Sequence, residues 1–140
     1  MACNFSQQKG KRGEREVVQL LQPVVTRVYL DAGKEPPTLQ RNTIQSHMGG
    51  FDLVGLDWLA PEVKRCETLN LNAWTEQCIG QAKVGQVPVL FFKQNNQKWR
   101  VMMHSILVTG GASNFKVWSE IKLDDFLVYF EYKLKHEVLK

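Results

Sequence analysis

Apolar residues recur along this chain with two different periods, and the changes of period divide it into elements. Val17, Leu20 and Leu21 fall three and four apart, which predicts a helix over 14–22 that Pro23 stops. Residues 24–30 are β-branched and apolar and predict a strand. Residues 31–49 hold Gly33, Pro36 and Pro37 among polar residues and predict the longest loop. Segments 51–55 and 58–65 predict two strands joined by a tight turn at Leu56 and Asp57. A helix is predicted over 70–83, with Ala73, Trp74, Cys78 and Ala82 toward the core and Gly85 ending it. Segments 87–93 and 99–104 predict a second strand pair. Asp124 is the expected N-cap of a closing helix that carries Phe126, Leu127, Phe130 and Leu134.

Helix, three strands, helix, two strands, helix is an α/β order, which predicts a central mixed sheet flanked by helices. Pro61 resists this layout, because inside a strand it removes a ladder donor; a bulge would accommodate it. With 140 residues and no repeat or linker, the expectation is a single domain, 1–140.

Composition narrows the class. At 44% hydrophobic and 23% charged the chain has the balance of a soluble globule, and no apolar run is long enough for a bilayer. The first residues are polar and then basic, unlike a secretory signal, and three cysteines without a CxxC fit a reducing compartment. A cytoplasmic protein without membrane partners is expected. The formal charge of +4 says less than its distribution. Lys9, Lys11, Arg12 and Arg15 crowd near the N-terminus, and such a cluster either neutralises phosphates or is a solvated helix end.

The candidate chemistry lies in Gly49-Gly50-Phe51-Asp52-Leu53-Val54, followed by Pro61-Glu62-Val63-Lys64. Residues two apart on a strand share a face, so Glu62 and Lys64 point the same way. If the preceding strand folds back, Asp52 comes close to Glu62. Two carboxylates converging with a lysine can hold a hard divalent cation and polarise a phosphodiester. By spacing alone, polar residues on a half-wet strand are the better reading. The apolar neighbours of Asp52 and Glu62 favour the chemical reading, because carboxylates are seldom placed there unpaired.

At this point the chain resembles the PD-(D/E)XK nuclease superfamily, and within it the archaeal-type Holliday junction resolvases and their phage-borne relatives. Lys9-Gly10 and Glu14-Arg15-Glu16 resemble that family's opening motif. Phe51-Asp52-Leu53-Val54 resembles its Asp strand, and Glu62-Val63-Lys64 is its Glu-Val-Lys. Gly85 to Leu90 with Trp99-Arg100-Val101 resembles the two strands after it, so the matches span residues 9 to about 103.

The resemblance implies a restriction-endonuclease-like fold and a Mg²⁺-dependent endonuclease, with Mn²⁺ as a substitute. Asp52, Glu62 and Glu14 would be metal ligands, and Lys64 would complete the catalytic set with them. Glu14 is preferred to Glu16 because the first Glu of Glu-Arg-Glu is the functional one in the family. On a helix, Glu16 also lies roughly 200° around the axis from Glu14. Lys9, Lys11, Arg12, Arg15 and Arg41 would contact DNA. The implied substrate is branched DNA, most specifically a four-way junction cut by a homodimer in a prokaryotic or phage-infected cell. Another nuclease of the same superfamily (restriction, nicking or recombination type), a non-catalytic nucleic-acid-binding module and a plain interaction protein are the rival readings. Two departures stand out: the long 31–49 segment and Pro61 directly before Glu62.

Overall fold

The structure, a computed structural model, describes residues 7–43 and 51–140, with side chains from residue 10 onward. It opens with α1 (Gln7–Asp31), followed by two short strands, β1 (Gln40–Arg41) and β2 (Leu53–Val54). Then come β3 (Leu59–Arg65), α2 (Leu71–Gln81), β4 (Val87–Lys93), β5 (Arg100–Leu107), β6 (Phe115–Ile121) and α3 (Leu123–Val138). The main sheet has the order β3-β4-β5-β6, with β3 parallel to β4 and the other pairs antiparallel. This is the expected α/β architecture, a mixed sheet flanked by helices.

Pro23 does not stop α1, and residues 24–30 are helix rather than strand. The reason is packing. Val17, Leu21, Val25 and Val28 continue one buried stripe at spacings of four, four and three, and they sit against the core of α3 and the sheet. Pro23 lies on the exposed side, where losing one backbone hydrogen bond costs about 3 kcal/mol and the buried stripe offsets it. The Gln22 amide holds the returning chain, donating to Pro37 O (3.1 Å) and accepting from Leu39 N (2.7 Å).

Other expectations shift as well. β2 pairs with β1, not with β3 as the expected hairpin required. β6 goes beyond the predicted elements: of its seven residues none is fully buried, so it carries a weak alternating signal. On α2, Trp74 and Cys78 face the core and Ala73 is exposed, while Ala82, just past its end, is half-buried. α3 begins at Leu123 with Lys122 before it, so Asp124 is not the cap. It sits with Asp125 in the first turn, where a negative charge suits the helix dipole. Cys78 is a free buried thiol, whereas Cys66 is disulfide-bonded, which departs from the expected set of reduced cysteines.

β3 is an edge strand, and its register with β4 runs unbroken from Leu59 to Arg65, so there is no bulge at Pro61. The Pro61 carbonyl accepts from Asp52 N (3.1 Å), on the side away from β4. A residue's N–H and C=O share a side in a strand, so no ladder bond is lost. Gly55, with φ +133°, turns the chain between β2 and β3. A Cβ there would stand 2.7 Å from Thr38 O and 3.1 Å from the Leu39 Cα. Gly55→Ala is therefore expected to cost about 3 kcal/mol in urea unfolding. A variant within about 0.5 kcal/mol of the parent would contradict this contact.

Candidate active site

Alternation along β3 sets the site. Leu59 and Val63 join the core under α1 and α3, and Cys66 joins the cluster under α2. Glu62 and Lys64 share the parity of Cys66 and so face the α2 side. The segment before β2 lays Asp52 beside them: its N–H donates to Pro61 O and its Oδ2 accepts from Val63 N (2.6 Å). Asn42 fastens that segment to the chain beyond β1, its N–H donating to Asp52 O (2.9 Å) and its side-chain amide to Phe51 O (3.0 Å). Glu62 is 1% exposed and Asp52 5%, the two buried charged side chains among the described residues.

Burying a carboxyl here has a clear electrostatic result. Loss of water first, and then the negative charge of Asp52, push Glu62 up to about 8, and Lys64 offsets this only in part. Lys64 Nζ lies 3.2 Å from Glu62 Oε2, while Glu62 Oε1 is buried with no hydrogen-bond partner. The Cys78 thiol, close enough to feel both acids, is pushed up to about 12, chiefly by burial. It stays protonated and is no nucleophile at neutral pH.

Glu14 projects from α1 toward the same region. Burial and the charge of Asp52 raise its pKa, against the opposing effect of Arg41. Arg41 Nε donates to Glu14 Oε1 at 2.8 Å. Arg15 lines a cavity with Arg41 and its charge reaches Glu14, whereas Lys11 and Arg12 are exposed on α1; the Lys9 side chain lies outside the described residues. So do Gly49 and Gly50.

Glu16, the poorer choice by sequence, has a part of its own. It accepts from Trp99 Nε1 (3.0 Å), Arg65 Nη1 (3.3 Å) and Lys93 Nζ (3.5 Å). This joins α1 to β3, β4 and the residue just before β5, and Gly13 permits the close approach, since a Cβ there would lie 3.3 Å from Arg65 Cβ. Only its half-turn offset from Glu14 hints at this separate duty.

The implied cation can be tested against these residues. A buried carboxyl pair with an unsatisfied oxygen and a raised pKa fits a hard divalent ion, which takes oxygen ligands and displaces the proton. Among the described residues, no three His, Cys, Asp or Glu side chains gather closely enough to hold an ion together. Asp52 and Glu62 form the pair, and Glu14 stands beside them with Arg41. No described helix is long and apolar enough to cross a membrane.

A family model described as "Phage putative PDDEXK endonuclease" matches residues 58–135, from just before β3 into the last turns of α3. No curated protein and no solved structure matches the chain. The matched span contains Glu62 and Lys64, begins after Glu14 and Asp52, and reaches well beyond residue 103, where the sequence motifs end. It covers more than half of the chain, which therefore belongs to this phage endonuclease family of the PD-(D/E)XK superfamily.

Proposed function

We propose that the protein is a divalent-metal-dependent DNA endonuclease that acts on branched DNA and, as a pair of copies, resolves four-way junctions. The observation that carries the nuclease reading is Glu62: a carboxyl that is 1% exposed, with Asp52 against it, Lys64 at 3.2 Å and one oxygen unsatisfied. PD-(D/E)XK nucleases generally use divalent metals. Bound Mg²⁺, with Mn²⁺ as a substitute, supplies Lewis-acid stabilisation of the phosphate and lowers the pKa of a water. Asp52 and Glu62 hold the ion, and Glu14 is the third acid within electrostatic range.

Lys64 faces the same side as Glu62, where its ammonium orients the attacking water or offsets charge growing on the phosphate. The water oxygen bonds to phosphorus as the in-line P–O bond to the neighbouring sugar breaks; the water's proton passes to solvent and the departing sugar oxygen takes one up from it. Lys11, Arg12, Arg15 and Arg41, with Lys9 before them, supply the phosphate contacts, so recognition rests on backbone shape more than on base sequence. Junction resolution needs two symmetric cuts, which two copies related by a two-fold axis provide. The site of action is the cytoplasm of a prokaryotic or phage-infected cell.

A labelled immobile four-way junction and a linear duplex of the same sequence, each with Mg²⁺ and either the parent or Asp52→Asn, test this. The expected result is paired symmetric nicks in the junction alone, lost in the variant. Equal cutting of the linear duplex keeps the nuclease and discards junction selectivity, leaving another nuclease type of the same superfamily. Tight, salt-sensitive binding with no cleavage in Mg²⁺ or Mn²⁺ would leave only a binding module, and absent or salt-insensitive binding an interaction protein.

A further inference from the structure

We propose that Arg41 makes completion of the catalytic site depend on DNA: in the free protein it holds Glu14, and a backbone phosphate takes the guanidinium and releases Glu14 toward Asp52 and Glu62. This rests on the nuclease reading above and adds a specificity-determining role for Arg41.

Three observations converge on it. The Arg41–Glu14 pair is short, at 2.8 Å, and its side chains are only 24% and 14% exposed, so solvent screens it weakly. Glu14 is within range of the Asp52 charge, yet the acids do not converge on a common point among the described residues. Arg41 also borders a cavity of about 440 Å³ shared with Arg15, Gln19, Gln40, Thr43 and Val18. Two guanidinium groups with amide and hydroxyl neighbours suit a sugar-phosphate segment.

Glu14 engages Nε, so the terminal nitrogens of Arg41 can meet a phosphate before the carboxylate leaves. A bidentate phosphate contact then replaces the single bond to Glu14. Without DNA, the third acid remains neutralised by Arg41 and metal is held by the Asp52–Glu62 pair alone. Cleavage chemistry is thus assembled on the substrate, which is a form of induced fit.

Calorimetric titration with Ca²⁺, which reads metal binding without relying on turnover, tests the coupling. DNA-free Arg41→Gln is expected to bind Ca²⁺ about tenfold more tightly than the parent. Removing a nearby positive charge would by itself favour a cation, so the same substitution is repeated in a Glu14→Gln background. There the gain should shrink to less than about twofold, because no carboxylate remains to be released. Saturating four-way junction should tighten Ca²⁺ binding to the parent about tenfold more than to Arg41→Gln. Arg41→Met, which keeps the aliphatic stem, replaces Arg41→Gln in the cycle if the latter misfolds.

An Arg41 variant that binds Ca²⁺ no more tightly than the parent, or gains equally with Glu14 already replaced, overturns the inference. If the parent still binds Ca²⁺ and cuts DNA in Mg²⁺, the nuclease reading survives that result. A parent protein that neither binds Ca²⁺ nor cleaves loses both.

Discussion

Glu62→Gln is expected to lower cleavage by on the order of 10³-fold while stabilising the metal-free protein at alkaline pH, two effects of opposite sign from one atom replaced. The first follows from removing a buried carboxylate from the Asp52–Glu62 pair. The second is linkage. Glu62 rises from the ordinary 4.5 to about 8 in the folded protein, because burial and Asp52 disfavour its charge. A raised acid binds its proton more tightly when folded, so its contribution is fully present below about 4.5. That contribution fades as pH rises through about 8. The glutamine amide of the variant carries no charge at any of these values and escapes the loss. Urea unfolding in EDTA at pH 5 and pH 9 measures it: the parent should lose more stability across that interval than the variant. Equal pH dependence in the two proteins would show that Glu62 ionises as freely as a surface acid.

Phe126→Ala is expected to cost about 3–5 kcal/mol, the largest stability effect among single side chains of α3. Phe126 is fully buried, edge-on to Phe91 of β4 (centroids 5.3 Å apart, planes at 89°) and stacked on Phe130 (5.7 Å). Its removal leaves a cavity between helix and sheet that the rigid strand behind it cannot close. Tyr132→Ala on the exposed side of the same helix is the control and should change stability by less than about 0.5 kcal/mol. Comparable urea midpoints for the two variants would place the core elsewhere.

The fold is legible in the sequence where burial leaves a simple pattern. The bounds of β4 are fully readable, because five consecutive buried residues between Gly85 and Gln94 leave little choice. β3 is readable within one residue, and its alternation places Glu62 and Lys64 on one face. Pro23 misleads because its local propensity competes with a stripe that continues past it; Val25 and Val28 sit at helical spacing from Leu21. β6 is hidden because Val117-Trp118 followed by Ser119-Glu120 breaks the two-residue period and none of its residues is fully buried.

At the site, Asp52 comes beside Glu62, but through hydrogen bonds to Pro61 and Val63 rather than a strand ladder. The Arg41–Glu14 pair joins residues 27 positions apart on different elements, and no local pattern encodes such a meeting.

The placement of Pro61 also bears on how this molecule behaves among its own copies. β3 lies at the edge of its sheet, and an edge strand with a free row of amides is a template on which another chain can add. Along the outward side of β3 the amides from Leu59 to Val63 are already committed. Leu59 N–H is spent on Leu56 O, Pro61 has none to give, and Val63 N–H is spent on Asp52 Oδ2. The stretch of β3 around Glu62 is thereby blunted against strand addition by its own neighbouring chain.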